Sequence, residues 1–111
     1  MAMGWWTHQK QKIQNSQADL WVFVLPSFFE HKPSFIIIPP GELLRRLRLI
    51  RGAIGKRIDL YLWVTKTERC WEARNLPLAD EERIADDRFL NKARDFSVFL
   101  NAWHQVAARL K

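Results

Sequence analysis

Cysteine occurs once, at Cys70, which rules out an internal disulfide and suits a reducing compartment, with the cytoplasm as the default location. Glycine is scarce as well, and none of the four present sits in a phosphate-cradling loop pattern. The longest uninterrupted apolar run, 20–25, is far short of the ~20 residues a membrane span needs. The opening stretch MAMGWWTHQKQK has no apolar core followed by small residues, so no signal peptide is expected. His8, His31 and His104 share no ligand spacing with one another or with Cys70, so no metal or cofactor is implied. They read as exposed or capping side chains. No serine lies in a nucleophile-elbow sequence, and Cys70 reads as a small buried hydrophobe rather than a reactive thiol.

What is plentiful is aromatic and basic. Six tryptophans and seven phenylalanines occur in 111 residues, within an apolar fraction of 48% and a charged fraction of 27%. That composition belongs to one globular domain, 1–111, with some of the aromatic surface available for a subunit contact. The formal charge is +6, and all of the excess lies in residues 1–57; from residue 58 onward, nine basic groups balance nine acidic ones. Such asymmetry points to a polyanion as partner.

The chain is organised around residues 19–40, DLWVFVLPSFFEHKPSFIIIPP. Two runs, 20–25 and 34–38, are apolar at successive positions, so each is expected to be a strand covered on both faces, the two joined by a turn carrying Pro26, Ser27 and Pro33. Residues 42–51, ELLRRLRLIR, read as a helix with Leu43, Leu47 and Ile50 on one face, Leu44 at its edge and Gly52 at its C-terminal end. Residues 57–66 form a third strand with Leu60, Leu62 and Val64 on one side and Tyr61 and Trp63 on the other, turning at 67–69 into a fourth, 70–74. A short charged helix capped by Asp80 follows. From about 88 to 110, Phe89, Ala93, Phe96, Leu100, Trp103, Ala107 and Leu110 recur at spacings of four and three, with Val98, Phe99 and Val106 widening the stripe, which predicts one long helix. Residues 1–17 read as a polar arm. The expected class is α+β: a small mixed sheet of about four strands with two main helices, in the order β-β-α-β-β-α. The tryptophan load favours a homodimer over a monomer with a helix on each face.

Two constellations could carry chemistry. Arg45, Arg46, Arg48 and Arg51 on one helix, followed by Lys56 and Arg57, occupy a stretch, 43–57, with no acidic residue. Their guanidinium groups suit phosphate oxygens, and the alternative is a solvated face or pairing with the acidic 80–87 segment. No helix-turn-helix, RNA-binding aromatic motif or zinc finger accompanies them, so base-specific readout is not expected. The second is Asp59 with Glu72 and Arg74, which approaches the Asp and Glu-x-Lys pattern of metal-dependent nucleases, but with arginine in place of lysine. Charges at strand edges are the simpler account.

The phrases DLWVFVLPSFFEHKPSFIIIPPGELLRRL, DLYLWVTKTERCWEARNL and RDFSVFLNAW resemble the C-terminal part of small proteins of the PD-(D/E)XK, restriction-endonuclease-like superfamily, over roughly 18–103. The resemblance implies a DNA-processing or mobile-element ancestry and assembly with a second copy. The catalytic hairpin of that superfamily precedes the matched region, so no catalytic residue is carried over. The resulting expectation is a non-catalytic protein binding nucleic-acid phosphates through Arg45, Arg46, Arg48, Arg51, Lys56 and Arg57. The alternatives are a homodimeric interaction module and a degenerate nuclease.

Overall fold

Alternation in Arg57–Val64 makes this strand the centre of the molecule: Ile58, Leu60, Leu62 and Val64 are buried on one face, and Tyr61 and Trp63 lie on the other. In the computed structural model, which describes residues 2–27 and 32–110, the chain is α+β with all strand pairs antiparallel. Its elements are β1 (Ala2–Gln9), α1 (Lys10–Gln14), β2 (Trp21–Leu25), β3 (Ser34–Ile38), α2 (Pro40–Arg51), β4 (Arg57–Val64), β5 (Cys70–Glu72), α3 (Leu78–Ala85), a 3-10 turn at Ser97–Phe99, and α4 (His104–Arg109). They form a three-stranded sheet in the order β1-β4-β5 and a two-stranded sheet of β2 and β3, rather than one sheet.

The first difference from expectation is at the start. The polar arm is in fact β1, paired along its whole length with β4 from Ala2–Val64 to Gln9–Arg57. Its alternation is weak in apolarity, because the inward positions are Ala2, Gly4, Trp6 and His8. His8 is accordingly half-buried, edge-on to Trp21 at 5.3 Å between ring centroids, rather than exposed or capping. Burial and then the charge of Lys12 push its imidazole pKa below the ordinary value. His31 lies outside the described residues.

The paired hairpin of β2 and β3 is as expected, but its coverage is not uniform. Ile36, Ile37 and Ile38 are all buried, so β3 is covered on both faces, whereas Val22 and Val24 of β2 are about half exposed. The helix α2 starts two residues before the expected position, because Pro40 is pre-set for a first helical turn and its missing N–H would have no helical partner there. It ends where Gly52, at φ 73°, takes a left-handed backbone that a side chain would strain. Leu43, Leu44 and Leu47 bury against both sheets in one core with Phe23, Ile36, Leu60 and Phe96. A second cluster on the opposite face of β4 and β5 joins Trp71, Ala73, Ile84 and Phe89, so α3 roofs that side. The helix α3 begins after Pro77, and Asp80, inside its first turn, forms an ion pair with Arg83 instead of capping.

The long helix expected over 88–110 does not form. Asp87 and Asn101 adopt positive φ, and the side chains of Asn91 and Asp95 accept hydrogen bonds from the backbone N–H groups of Arg94 and Ser97, turning the chain. The segment instead stitches the sheets together. Phe96 N–H donates to Cys70 O (2.9 Å) and Glu72 N–H to Arg94 O (3.0 Å), along the free edge of β5. A few residues later Asn101 N–H donates to Phe35 O (2.6 Å), on the edge of β3. With the Ala2–Ser27 bridge between β1 and the end of β2, these contacts link the edges of the two sheets in a closed circuit. Edges left unpaired would invite other chains; here the edges of β5 and β3 are partly occupied by the 94–101 segment. Among the described residues, no helix is long and apolar enough to cross a membrane.

Candidate nucleic-acid interface

The six basic residues expected to form one ridge are placed in three different environments. Arg45 is exposed but paired: its Nε donates to Glu42 Oε2 at 2.8 Å. Arg46 is largely buried, with Nε donating to the same carboxylate (3.1 Å) and Nη1 to the carbonyl of Asp95 (2.8 Å). Its guanidinium also lies 5.2 Å from the centre of the Phe99 ring, so it clamps α2 to the 95–99 segment. The hydrogen bond from Arg45 holds the Glu42 carboxyl below the usual range against the opposing effect of burial, and Arg46 adds to it. Arg51 turns inward, donating from Nη2 to the carbonyl of Asp59 and standing 3.6 Å from Glu72 Oε2. Burial lowers its pKa, and the Glu72 carboxylate opposes that.

Arg48, Lys56 and Arg57 remain on the surface. Arg57 is 73% exposed at its side chain and leans across Asp59, with Nε and Nη2 each 3.3 Å from a carboxylate oxygen. Lys56 accepts the N–H of Lys10 on its carbonyl (2.7 Å), which fixes the start of α1 beside the start of β4. Lys10, Lys56 and Arg57 therefore border one open depression of about 860 Å³, together with Thr7, Gln9 and Asn15.

Asp59 is the hub of the neighbouring sheet face. It accepts from Thr7 Oγ1 at 2.8 Å and pairs with Arg57 and, at 3.4 Å, with Arg74. The Thr7 hydrogen bond first, and the Arg57 bond next, keep its carboxyl below the usual carboxylate range. Glu72 is the reverse case. Its side chain has no exposed surface, and burial pushes its pKa up, opposed by the N–H of Tyr61, by Arg51 and Arg94, and by the N–H of Arg74.

Asp59, Glu72 and Arg74 are thus brought close, but not as a metal centre. Strand alternation turns Asp59 to the Tyr61 face and Glu72 to the core face, since Glu72 stands opposite Leu62. Guanidinium and N–H groups already occupy their oxygens. Among the described residues no group of three His, Cys, Asp or Glu side chains is placed to hold a metal ion. The donor set does not fit a divalent cation. Cys70 is fully buried, and burial first, then Asp95 and Glu72, push its thiol far above the ordinary range, consistent with a packing role.

The sheet face carrying Asp59 also displays aromatic surface. Trp5 and Tyr61 are register partners with ring centroids 5.0 Å apart at 38°, and Trp5 is 57% exposed. Partial burial, and after it the Glu81 carboxylate on α3, raise the Tyr61 phenol pKa. Two rows further along lies Gln9 opposite Arg57, so Trp5, Thr7, Gln9, Tyr61, Asp59 and Arg57 share one surface. Reading the first residues as an arm hid this surface. The alternation of Met3, Trp5, Thr7 and Gln9 against Ala2, Gly4, Trp6 and His8 is the signal that could have revealed it. Compared with family models, curated proteins and solved structures, the chain matches none.

Proposed function

We propose that the protein is a non-catalytic nucleic-acid-associated protein that binds the phosphate backbone through its basic half. The observation that carries this reading is the set of accessible cations, Arg48, Lys56 and Arg57, the last sharing its charge with Asp59, in a stretch from 43 to 57 without an acidic residue. Arg45 adds an exposed guanidinium whose charge Glu42 offsets. Arg46 and Arg51 are engaged by Asp95 and by Asp59 and Glu72, and are less accessible. Dense, accessible positive charge of this kind binds phosphates by charge-assisted hydrogen bonding and release of counterions. The resemblance to nuclease-like proteins is consistent with the same partner class.

A fluorescence-anisotropy titration of labelled nucleic acid, duplex and single strand, across a salt series tests the reading. The expected result is an affinity that falls steeply with salt, with the slope counting the phosphate contacts. Triple replacement of Arg48, Lys56 and Arg57 by Glu should remove the binding. Absence of binding at low salt, where screening is weakest, rejects the proposal.

A second reading, a homodimeric assembly module, is favoured by one observation: Val22 and Val24, on one face of β2, are 45% and 50% exposed. Sedimentation velocity on the wild type and on Val22→Lys tests it. A monomer at all concentrations removes it.

A further inference from the structure

We propose that the nucleic acid is single-stranded, and that a base stacks on the Trp5–Tyr61 pair while the adjoining phosphates run to Arg57, Lys56 and Lys10. The inference rests on the phosphate-binding reading above and specifies the ligand class and its path.

Four observations carry it. Trp5 projects from the middle of a strand and is 57% exposed, with a tilted Tyr61 ring beside it 5.0 Å away. Large rings are ordinarily placed where they lose water, so a tryptophan held open by a neighbouring ring offers a flat apolar platform. The same sheet face carries Thr7–Asp59 in the next row and Gln9–Arg57 in the row after that, rows about 7 Å apart. The last of these rows opens into the depression bordered by Lys10 and Lys56. An aromatic platform continuous with a cationic groove is the combination that single-stranded nucleic acid needs. Bases inside a duplex are already stacked and offer no free face to Trp5, which distinguishes the two ligand classes.

The acidic groups on this face fit the same path. Asp59 is neutralised between Arg57 and Arg74 and fixes the Arg57 guanidinium on the surface, so it does not oppose phosphate as a free carboxylate would. Glu81, on α3, acts electrostatically on Tyr61, so the α3 side is the less favourable one for a polyanion and the path along β1 to Arg57 the more favourable.

The test is an anisotropy titration with a fluorescein-labelled twelve-nucleotide oligothymidylate, a duplex of the same length, and inorganic polyphosphate as a competitor that has phosphates and no bases. The wild type should bind the single strand more tightly than the duplex. Trp5→Ala should weaken oligothymidylate binding about tenfold or more and leave competition by polyphosphate unchanged, while Trp5→Phe restores most of the loss. Arg57→Glu should weaken both ligands. If Trp5→Ala lowers the melting temperature into the assay range, Trp5→Thr, which favours a strand, takes its place. Equal or tighter binding of duplex, or full affinity in Trp5→Ala or Trp5→Thr, overturns this inference and leaves the phosphate-binding reading standing. Binding to neither nucleic acid nor polyphosphate at low salt overturns both. A concentration-dependent dimer in which Trp5 is shielded from acrylamide quenching assigns the platform to a second copy and also overturns it.

Discussion

Arg94 Nη1 lies 3.0 Å from Glu72 Oε1, and the same nitrogen donates to the main-chain carbonyls of Glu72 and Arg74. One guanidinium thus compensates a carboxylate with no exposed surface and pins the 88–96 segment beside β5. Removing one member of a buried pair leaves the other charge without its partner. Arg94→Met should therefore cost about 3 kcal/mol in urea denaturation at neutral pH. The deficit should narrow with acidification. A Glu72 pKa raised in the folded state means the folded protein takes up its proton first, so stability is gained as pH falls from the raised folded value towards 4.5. A deficit independent of pH would show that Arg94 acts by packing alone.

Arg46 and Arg48, two positions apart on α2, should respond oppositely to substitution. Arg46→Ala removes a hydrogen bond to Asp95, a contact with the Phe99 ring and a link to Glu42, and should cost about 2 kcal/mol. Arg48→Ala should change stability by less than about 0.5 kcal/mol, because its side chain is on the surface. Nucleic-acid affinity should show the reverse sensitivity once measurements are made well below the melting temperature of each variant.

His8 makes the fold sensitive to mild acid. Its imidazole pKa lies below 6.5 in the folded protein, so between the two values the unfolded chain binds a proton that the folded chain does not. Stability should fall as pH drops through 6.5 and level off below the folded pKa. His8→Phe, which keeps a ring beside Trp21, should flatten that part of the profile. Urea midpoints from pH 5 to 8 would measure it, and a His8→Phe profile identical to the wild type would exclude His8 as the cause.

Gly4 is required by its neighbour. A Cβ at this position would clash with the six-membered ring of Trp6, which packs edge-on against Phe23 with centroids 5.0 Å apart. Gly4→Ala should cost about 1–3 kcal/mol through displacement of that ring. The double variant Gly4→Ala, Trp6→Leu should recover part of the loss, as expected for two side chains competing for one space.

How much of this could be read from residue order depends on how local each signal is. The strands β2, β3 and β4 and the helix α2 announce themselves through runs and alternation within ten residues. The first strand does not, since Gly4 and His8 occupy two of its inward positions and dilute the contrast between its faces. The 88–110 stretch misleads for a different reason. Its apolar spacing of four and three is real, but Phe89 goes to the cluster under α3, Phe96 and Phe99 to the main core, and Trp103 to Phe35. A stripe that serves three separate contacts mimics a helix face. The basic residues of 45–57 were legible as a group, but their division into paired, buried and accessible members was not. Glu42 and Asp59 are close in sequence to Arg45 and Arg57, but the partners that draw Arg46 and Arg51 inward, Asp95 and Glu72, lie far along the chain on other elements.

The pairing of β1 with β4 also sets a timetable. The ladder partners of β1 lie at Arg57 and beyond, whereas β2 and β3 are neighbours in the sequence, Trp21–Leu25 and Ser34–Ile38. At a synthesis rate of about 5–20 residues per second, the first strand waits roughly 3–10 seconds for β4 to follow it out of the ribosome. Throughout that interval Trp5 lacks Tyr61 and the β4-facing edge of β1 is unpaired, while Trp6 has only Phe23 of β2 to meet. All residues of β2, β3 and α2 precede β4 in the chain, so they are available to one another before the three-stranded sheet can be completed. A chaperone that recognises aromatic extended segments would therefore find its opening at β1, before β4 is there to pair with it.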